Sequence, residues 1–273
     1  MITDTTVTVD RFNDYFVNVG QNLANKIASE SGSHLDYMNI YNNNSMFVLP
    51  VTPSEICDET ATFKFNKNAG CDSFSPNVIK SIIKDIALTL CDIFNKPLLT
   101  GCFPDKLKVA KVIPFYKGDN KRLLNNYRSI SFLPAFSKIL ERLMNKRLLD
   151  VLNKNEILVK NQFGFREKHS TYMAILDLVD KICHKIDSKN YSMGIFIDLS
   201  KAFDTINHKI LIDKLEYYGI RGVELQWFIS YLSKRSQHVQ IGDICSNYLH
   251  LTCGVPQGSI LGTYFFMCIL MIW

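Results

Sequence analysis

Residues 75–98, SPNVIKSIIKDIALTLCDIFNKPL, open on Ser-Pro and carry apolar side chains at Val78, Ile79, Ile82, Ile83, Ile86 and Leu90. Proline at a first helical position and a stripe recurring every three to four residues predict a long amphipathic helix. The same period recurs at 132–153, 170–187, 209–218 and 223–233, and at 9–29, where Gly20 is a candidate break. Between these lie short runs of a different kind. VAKVIPFYK (109–117), YSMGIFID (191–198) and the stretches 236–242 and 247–253 read as strands. Helices and strands interleave without a repeat, so the chain is expected to be α+β.

Composition bounds the rest. With 47% hydrophobic and 21% charged residues among 273, a packed core is expected. Eight cysteines, at 57, 71, 91, 102, 183, 245, 253 and 268, form no C-x-x-C pair and read as reduced core thiols of an intracellular protein. A secretory route is not expected, and the longest apolar run, ILGTYFFMCILMIW, is shorter than the roughly 20 residues that span a bilayer, so no membrane partner is expected. Charge is uneven. From Lys106 to Lys168 there are 15 Lys and Arg against 5 Asp and Glu, a local +10 in a chain of net +5. Such a block is either a footprint for phosphate-rich partners or a set of solvated helix faces.

Organisation follows from these signals. A helical N-terminal segment (1–30) is expected to lead through a Ser- and Asn-rich flexible linker (31–52) into the main domain, 53–273. Four stretches could carry chemistry. FIDLSKAFD (196–204) runs an apolar segment into Asp198, which either ends a strand in a turn or is held rigidly enough to bind a metal ion. NQFGFREKHST (161–171) presents Arg166 beside Gly164, Phe163 and Phe165. NNYRSISFLPAFSKILERL (125–143) sets Arg128 before a basic helix, and GVPQGS (254–259) is a tight turn. Each has an ordinary reading too: a surface arginine at 166, a helix-capping Gln257, a core Phe203.

The order of these parts resembles the reverse transcriptases of non-LTR (LINE-type) retrotransposons. GCDSFSPNVIK (70–80), VIPFYKGD…NNYRSISFLPAFSKILERL, NQFGFREKHST, FIDLSKAFDTINH and GVPQGSILG are similar to successive family blocks, and FNDYFVNVGQNLANKI (12–27) resembles the stretch preceding the polymerase core. The resemblance implies a right-hand polymerase's fingers and partial palm over 53–273, with an incomplete antiparallel palm sheet. It implies RNA-directed DNA polymerisation by in-line phosphoryl transfer, with two Mg2+ ions, an RNA template, a DNA primer and deoxynucleotides. Carried over, Asp198 bridges both metals and the Leu199 carbonyl reaches one. Arg166 covers the triphosphate, Phe203 lies beneath the sugar, and Gln257 and Gly258 border the sugar and template base. Lys117 and Arg128 fall near template or triphosphate; Arg142, Lys146 and Arg147 belong to the basic helix expected to face nucleic acid. Asp204 matches the pattern and is read as structural.

One departure stands against that scheme. The family's other metal-binding carboxylates are an adjacent Asp-Asp pair, and the chain contains no such dipeptide. The expectation is therefore a copy truncated before that hairpin, inactive alone, or else a non-catalytic nucleic-acid-binding remnant or a non-functional truncated copy. GTYFFM (262–267) still tracks the family, whereas CILMIW (268–273) does not. Permitted codons for those six residues, read in another frame, give Tyr-Ile-Asn-Asp-Leu, so a frame slip near Cys268, a genuine gene end and a gene-model boundary are the three readings of that change.

Overall fold

The computed structural model describes residues 5–26, 36, 41–63, 69–72 and 74–271. Eight helices and five strands occur among them, so the α+β expectation holds. The helix expected at 75–98 is α3, Pro76–Thr100. Its N-cap Ser75 accepts the Val78 amide and its C-cap Gly101 takes a left-handed φ of 68°. Its buried stripe is Ile79, Ile83, Ala87, Leu90 and Phe94, while Val78 and Ile82 turn outward. α2 (Pro53–Ala61) went unread, although Thr52-Pro53-Ser54-Glu55 is a helix-start pattern whose Thr52 hydroxyl accepts the Glu55 amide.

α4, Ala135–Lys154, forms the centre of the main core, with Ile139, Leu140, Leu143, Leu148 and Leu152 all buried. It starts three residues later than its apolar pattern because β2, Tyr127–Phe132, and Pro134 precede it. α2, α3 and α8 (Ile260–Leu270) pack against it, while α6 (His208–Tyr217) packs on α8 and α7 (Gly222–Leu232) on α3, and the same core takes in Phe94, Leu211, Trp227, Phe228 and Phe265. α8 runs unbroken through the buried Cys268.

The sheet has the order β2-β1-β3-β4, with β5 (Leu249–His250) also on β3. β1, Val109–Tyr116, pairs antiparallel with β2 in the register Ile113↔Ile130. It pairs parallel with β3, Ser236–Ile241, in the register Val112↔Val239. β4 (Ile244–Cys245) closes a hairpin on β3. The sheet is thus mixed, where the resemblance implied an antiparallel one.

The expected N-terminal helix forms without the candidate break, and part of the expected linker is packed. α1, Thr5–Ala24, continues through Gly20 and lies on the sheet, where Val9, Phe12 and Phe16 form a second core with Val112 and Val239. Asn13 joins it to the sheet side, donating to the Asn247 carbonyl at 2.7 Å and accepting from Gln237 at 3.1 Å. Of the expected linker, residues 31–35 and 37–40 lie outside the described residues. Residues 41–52 are a packed strap, with Met46 and Val51 buried and the Met46 amide donating to Gly219 O at 2.8 Å.

The strand expected at 191–198 is absent. Residues 191–199 carry no regular secondary structure, and all are exposed. A strand's amides and carbonyls need a neighbouring strand, and none of the five strands pairs with this segment.

Candidate active site

Three segments distant in sequence meet beside α1. The turn after Ser200 begins at Lys201, which takes a positive φ of 56°. The Asp204 and Thr205 amides donate back to the Lys201 carbonyl at 2.9 and 3.1 Å. Two backbone bonds then clamp this turn to the loop 253–259: Val255 N to Phe203 O at 2.9 Å, and Gly254 N to Ile206 O at 2.8 Å. The third segment is β2, whose Ser131 amide donates to Gln257 O at 2.8 Å.

Glycine is required twice in that loop. Gly254 has a φ of +74°, and a Cβ there would stand 2.7 Å from the Asp204 carbonyl oxygen. Gly258 has a φ of +122°, and its Cβ would stand 2.7 Å from the Ser131 carbonyl oxygen. The loop's far end is anchored by Ser259, which caps α8, and by the buried Glu141, which accepts the Ile260 amide at 2.7 Å. Burial pushes the Glu141 carboxyl up. His208 Nε2 bonds the Gly254 carbonyl at 2.7 Å, and burial holds that imidazole below its usual range.

Asp204 occupies the junction. Ser129 Oγ donates to its Oδ1 at 3.5 Å and Gln257 Nε2 to its Oδ2 at 3.4 Å. Burial pushes its carboxyl up to about 6, opposed by Lys201, Ser129, Lys117 and Gln257. The Lys201 ammonium donates to the Tyr127 carbonyl at 3.3 Å and lies 5.3 Å from the Tyr15 ring centre. Burial, then the charge of Lys117, lowers the Lys201 pKa. α1 closes the other side: a Cβ on Gly20 would overlap the Asp204 carbonyl oxygen at 2.0 Å. The residue read as merely structural therefore links the turn, the loop and β2. Its six-residue offset from Asp198 carried no signal of this.

The other expected residues fall elsewhere. Phe203 is half-buried, its ring 5.4 Å from that of Phe266. Lys117 and Arg128 are exposed, the latter on β2 opposite Phe115 of β1. Arg166 donates to Val159 O at 3.2 Å and, with Arg142, Lys146, Lys168 and His169, lines a cavity of about 570 Å³. Arg142 bonds Glu59 O at 3.0 Å and covers the Phe63 ring. Arg147 is bidentate to Glu55 at 2.8 and 2.9 Å, so two of the three basic-helix residues are engaged with the protein itself. Lys146 is exposed. Asp198 and Leu199 are exposed, and among the described residues Asp198 has no hydrogen bond or ion pair.

A divalent metal does not fit what these residues provide. No group of three or more His, Cys, Asp or Glu among the described residues is placed to hold one. Asp204, the carboxyl nearest Asp198 in the sequence on its C-terminal side, is taken up by Ser129 and Gln257.

Residues 116–271 match the family described as "Reverse transcriptase (RNA-dependent DNA polymerase)". The chain belongs to the reverse transcriptase family. This reverse transcriptase region is 33% identical over 225 residues to a probable RNA-directed DNA polymerase from transposon BS of Drosophila melanogaster, covering 80% of this chain and 24% of that protein. It is 32% identical to the RNA-directed DNA polymerase from mobile element jockey of the same organism, covering 78% and 23%. A putative 115 kDa protein in type-1 retrotransposable element R1DM is 28% identical, covering 75% and 19%. The chain spans about a quarter or less of these relatives' lengths. Reverse transcriptases generally use divalent metal ions and act on a nucleic acid template with nucleotide substrates. No helix among the described residues is long and apolar enough to cross a membrane. The match includes the turn, the loop and β2, and leaves α1 outside it.

Proposed function

We propose that this chain is the nucleotide- and template-binding portion of a non-LTR retrotransposon's RNA-directed DNA polymerase, and that alone it binds without extending a primer. The observation that supports this reading is the interlock of turn 203–206 with loop 254–257. It gives Phe203, Gln257 and Gly258 one rigid frame at the positions the family resemblance assigns to the incoming nucleotide. In this reading Phe203 limits the space beneath the sugar, while Gln257 and Gly258 border sugar and template base. Arg166 receives triphosphate oxygens, for which a guanidinium fork is well shaped. Lys117, Arg128 and Lys146 meet backbone phosphates of an RNA template and DNA primer.

Asp198 and the Leu199 carbonyl are the metal ligands this chain would offer to magnesium. One carboxylate does not hold two divalent ions in the octahedral geometry magnesium demands. No catalytic step is therefore assigned to this chain alone. The test is primed RNA, deoxynucleotides and magnesium supplied to the purified chain. Nucleotide retention on the primed template without extension is expected. Extension that disappears in Asp198→Ala overturns the silence, and absence of both nucleotide and template binding overturns the whole reading.

A second reading, a nucleic-acid-binding remnant without a nucleotide site, is favoured by the solvent-exposed, unpaired Asp198. Template binding with no nucleotide retention would select it.

A further inference from the structure

We infer that Asp204 is a positioning residue of the nucleotide site: its carboxylate fixes the Gln257 amide with the NH2 group inward and the carbonyl oxygen outward. This rests on the reading of Gln257 as a nucleotide-bordering residue. An ionised carboxylate only accepts hydrogen bonds, so the end of Gln257 that faces it must be the donor, Nε2, at 3.4 Å. The outward end is then an acceptor, suited to a hydroxyl of a bound sugar. Asp204 cannot easily swing away from this task. Ser129 Oγ faces its other oxygen at 3.5 Å, and its backbone carbonyl is enclosed by Gly20 and Gly254.

A proton on Asp204 removes the constraint. A carboxylic acid can donate to the Gln257 carbonyl, so the amide can turn over and present NH2 outward. The groups around Asp204 are Tyr15 from α1, Lys117 beyond β1, Ser129 on β2, Lys201 in its own turn, and Cys253 and Gln257 in the loop. His208 bonds the adjoining Gly254 carbonyl. Tyr15 and Cys253 are both pushed up, by burial first and then by Asp204 itself, and so stay neutral through the range in which Asp204 titrates. The two lysines favour the carboxylate, while burial opposes it and brings the transition to about 6.

The experiment uses the full chain labelled with nitrogen-15, following the Gln257 side-chain NH2 resonance, assigned by its loss in Gln257→Glu. In the unliganded protein that resonance should move with a midpoint of about 6. Asp204→Asn, which has the same shape, should abolish the movement. Ser129→Ala, which removes a donor to the carboxylate, should shift the midpoint upward. A Gln257 resonance that stays fixed between pH 4.5 and 8, or moves alike in Asp204→Asn, overturns the inference; the His208 titration would account for the latter. A second measurement keeps the two claims apart: deoxynucleoside triphosphate binding to the chain on primed RNA. It should weaken by about tenfold from pH 7.5 to 5, the worth of one hydrogen bond. Asp204→Asn should abolish that dependence. No nucleotide binding at any pH would defeat the nucleotide-site reading, while the unliganded titration would still decide the role of Asp204.

Discussion

α4 and α5 are written in the same pattern and end in opposite surroundings. α4 buries ten of its 20 residues. α5, Thr171–Asp187, is as well specified locally: Ser170 caps it through the Met173 amide, Asp177 pairs with Lys181 at 2.6 Å, and Tyr172, Ile175, Leu176, Val179, Ile182 and Ile186 form an apolar stripe. Yet none of its residues is buried, and the apolar segment 191–197 that follows is exposed throughout. Periodicity says which face of an element is apolar; it does not supply the surface that covers that face. Most of a helix's stability in a protein comes from that covering. α5 therefore stands on its cap, its ion pair and its propensity alone.

A matched pair of truncations, one in each helix, measures the difference in covering. Leu140 is fully buried in α4, and Leu140→Ala should cost about 2–5 kcal/mol in urea unfolding. Leu176 is 67% exposed, and Leu176→Ala should change stability by no more than about 0.5 kcal/mol. A loss of several kcal/mol at Leu176 would mean that the α5 stripe is covered in solution.

Asp204 extends the comparison to polar groups, because here burial destabilises. Its folded pKa of about 6 lies above the ordinary 3.8, so the folded state holds the proton more tightly. Stability from this group is fully present below about pH 4 and falls as pH rises through about 6. The penalty above that is on the order of 2–3 kcal/mol. Asp204→Asn, neutral at every pH, should thus be more stable than the native chain at pH 7 by about 2 kcal/mol, with the gap closing toward pH 4. A destabilised Asp204→Asn at pH 7 would mean that the hydrogen bonds from Ser129 and Gln257 more than offset the burial of the ionised carboxylate.

Smaller effects separate the cations of α4. Arg147 is largely buried and bidentate to Glu55, so Arg147→Ala should cost about 1–3 kcal/mol of stability and leave the salt dependence of nucleic-acid binding unchanged. Lys146→Ala should do the reverse, lowering the slope of log affinity against log salt by about one with little loss of stability. Equal effects on the slope would mean that both side chains reach phosphate.

Much of the fold was legible because its signals are local. Ser75-Pro76, the apolar period of α3 and α4 and the glycines of the 254–258 loop each act within a few residues, and each appears where expected. β2 was hidden inside a stretch read for its arginine and its following helix, and α2 is too short for periodicity to show. The strand read at 191–198 failed for a different reason, since its residues suit a strand but no partner strand lies beside them among the described residues. In the site, residue identities and order were enough to indicate a reverse transcriptase. Which of the two aspartates in FIDLSKAFD would be enclosed was not in the sequence. Asp198 follows an apolar run and is open to water; Asp204 sits in a polar turn and is half-buried. Its surroundings come from Ser129, 75 residues before it, Gln257, 53 residues after it, and Gly20 on a helix near the start of the chain. Local sequence determined the caps, periods and turns, because those depend on backbone and neighbouring side chains. Only the tertiary structure decided solvent exposure, strand pairing and the charge state of Asp204, because each is set by atoms that the chain brings close from far away.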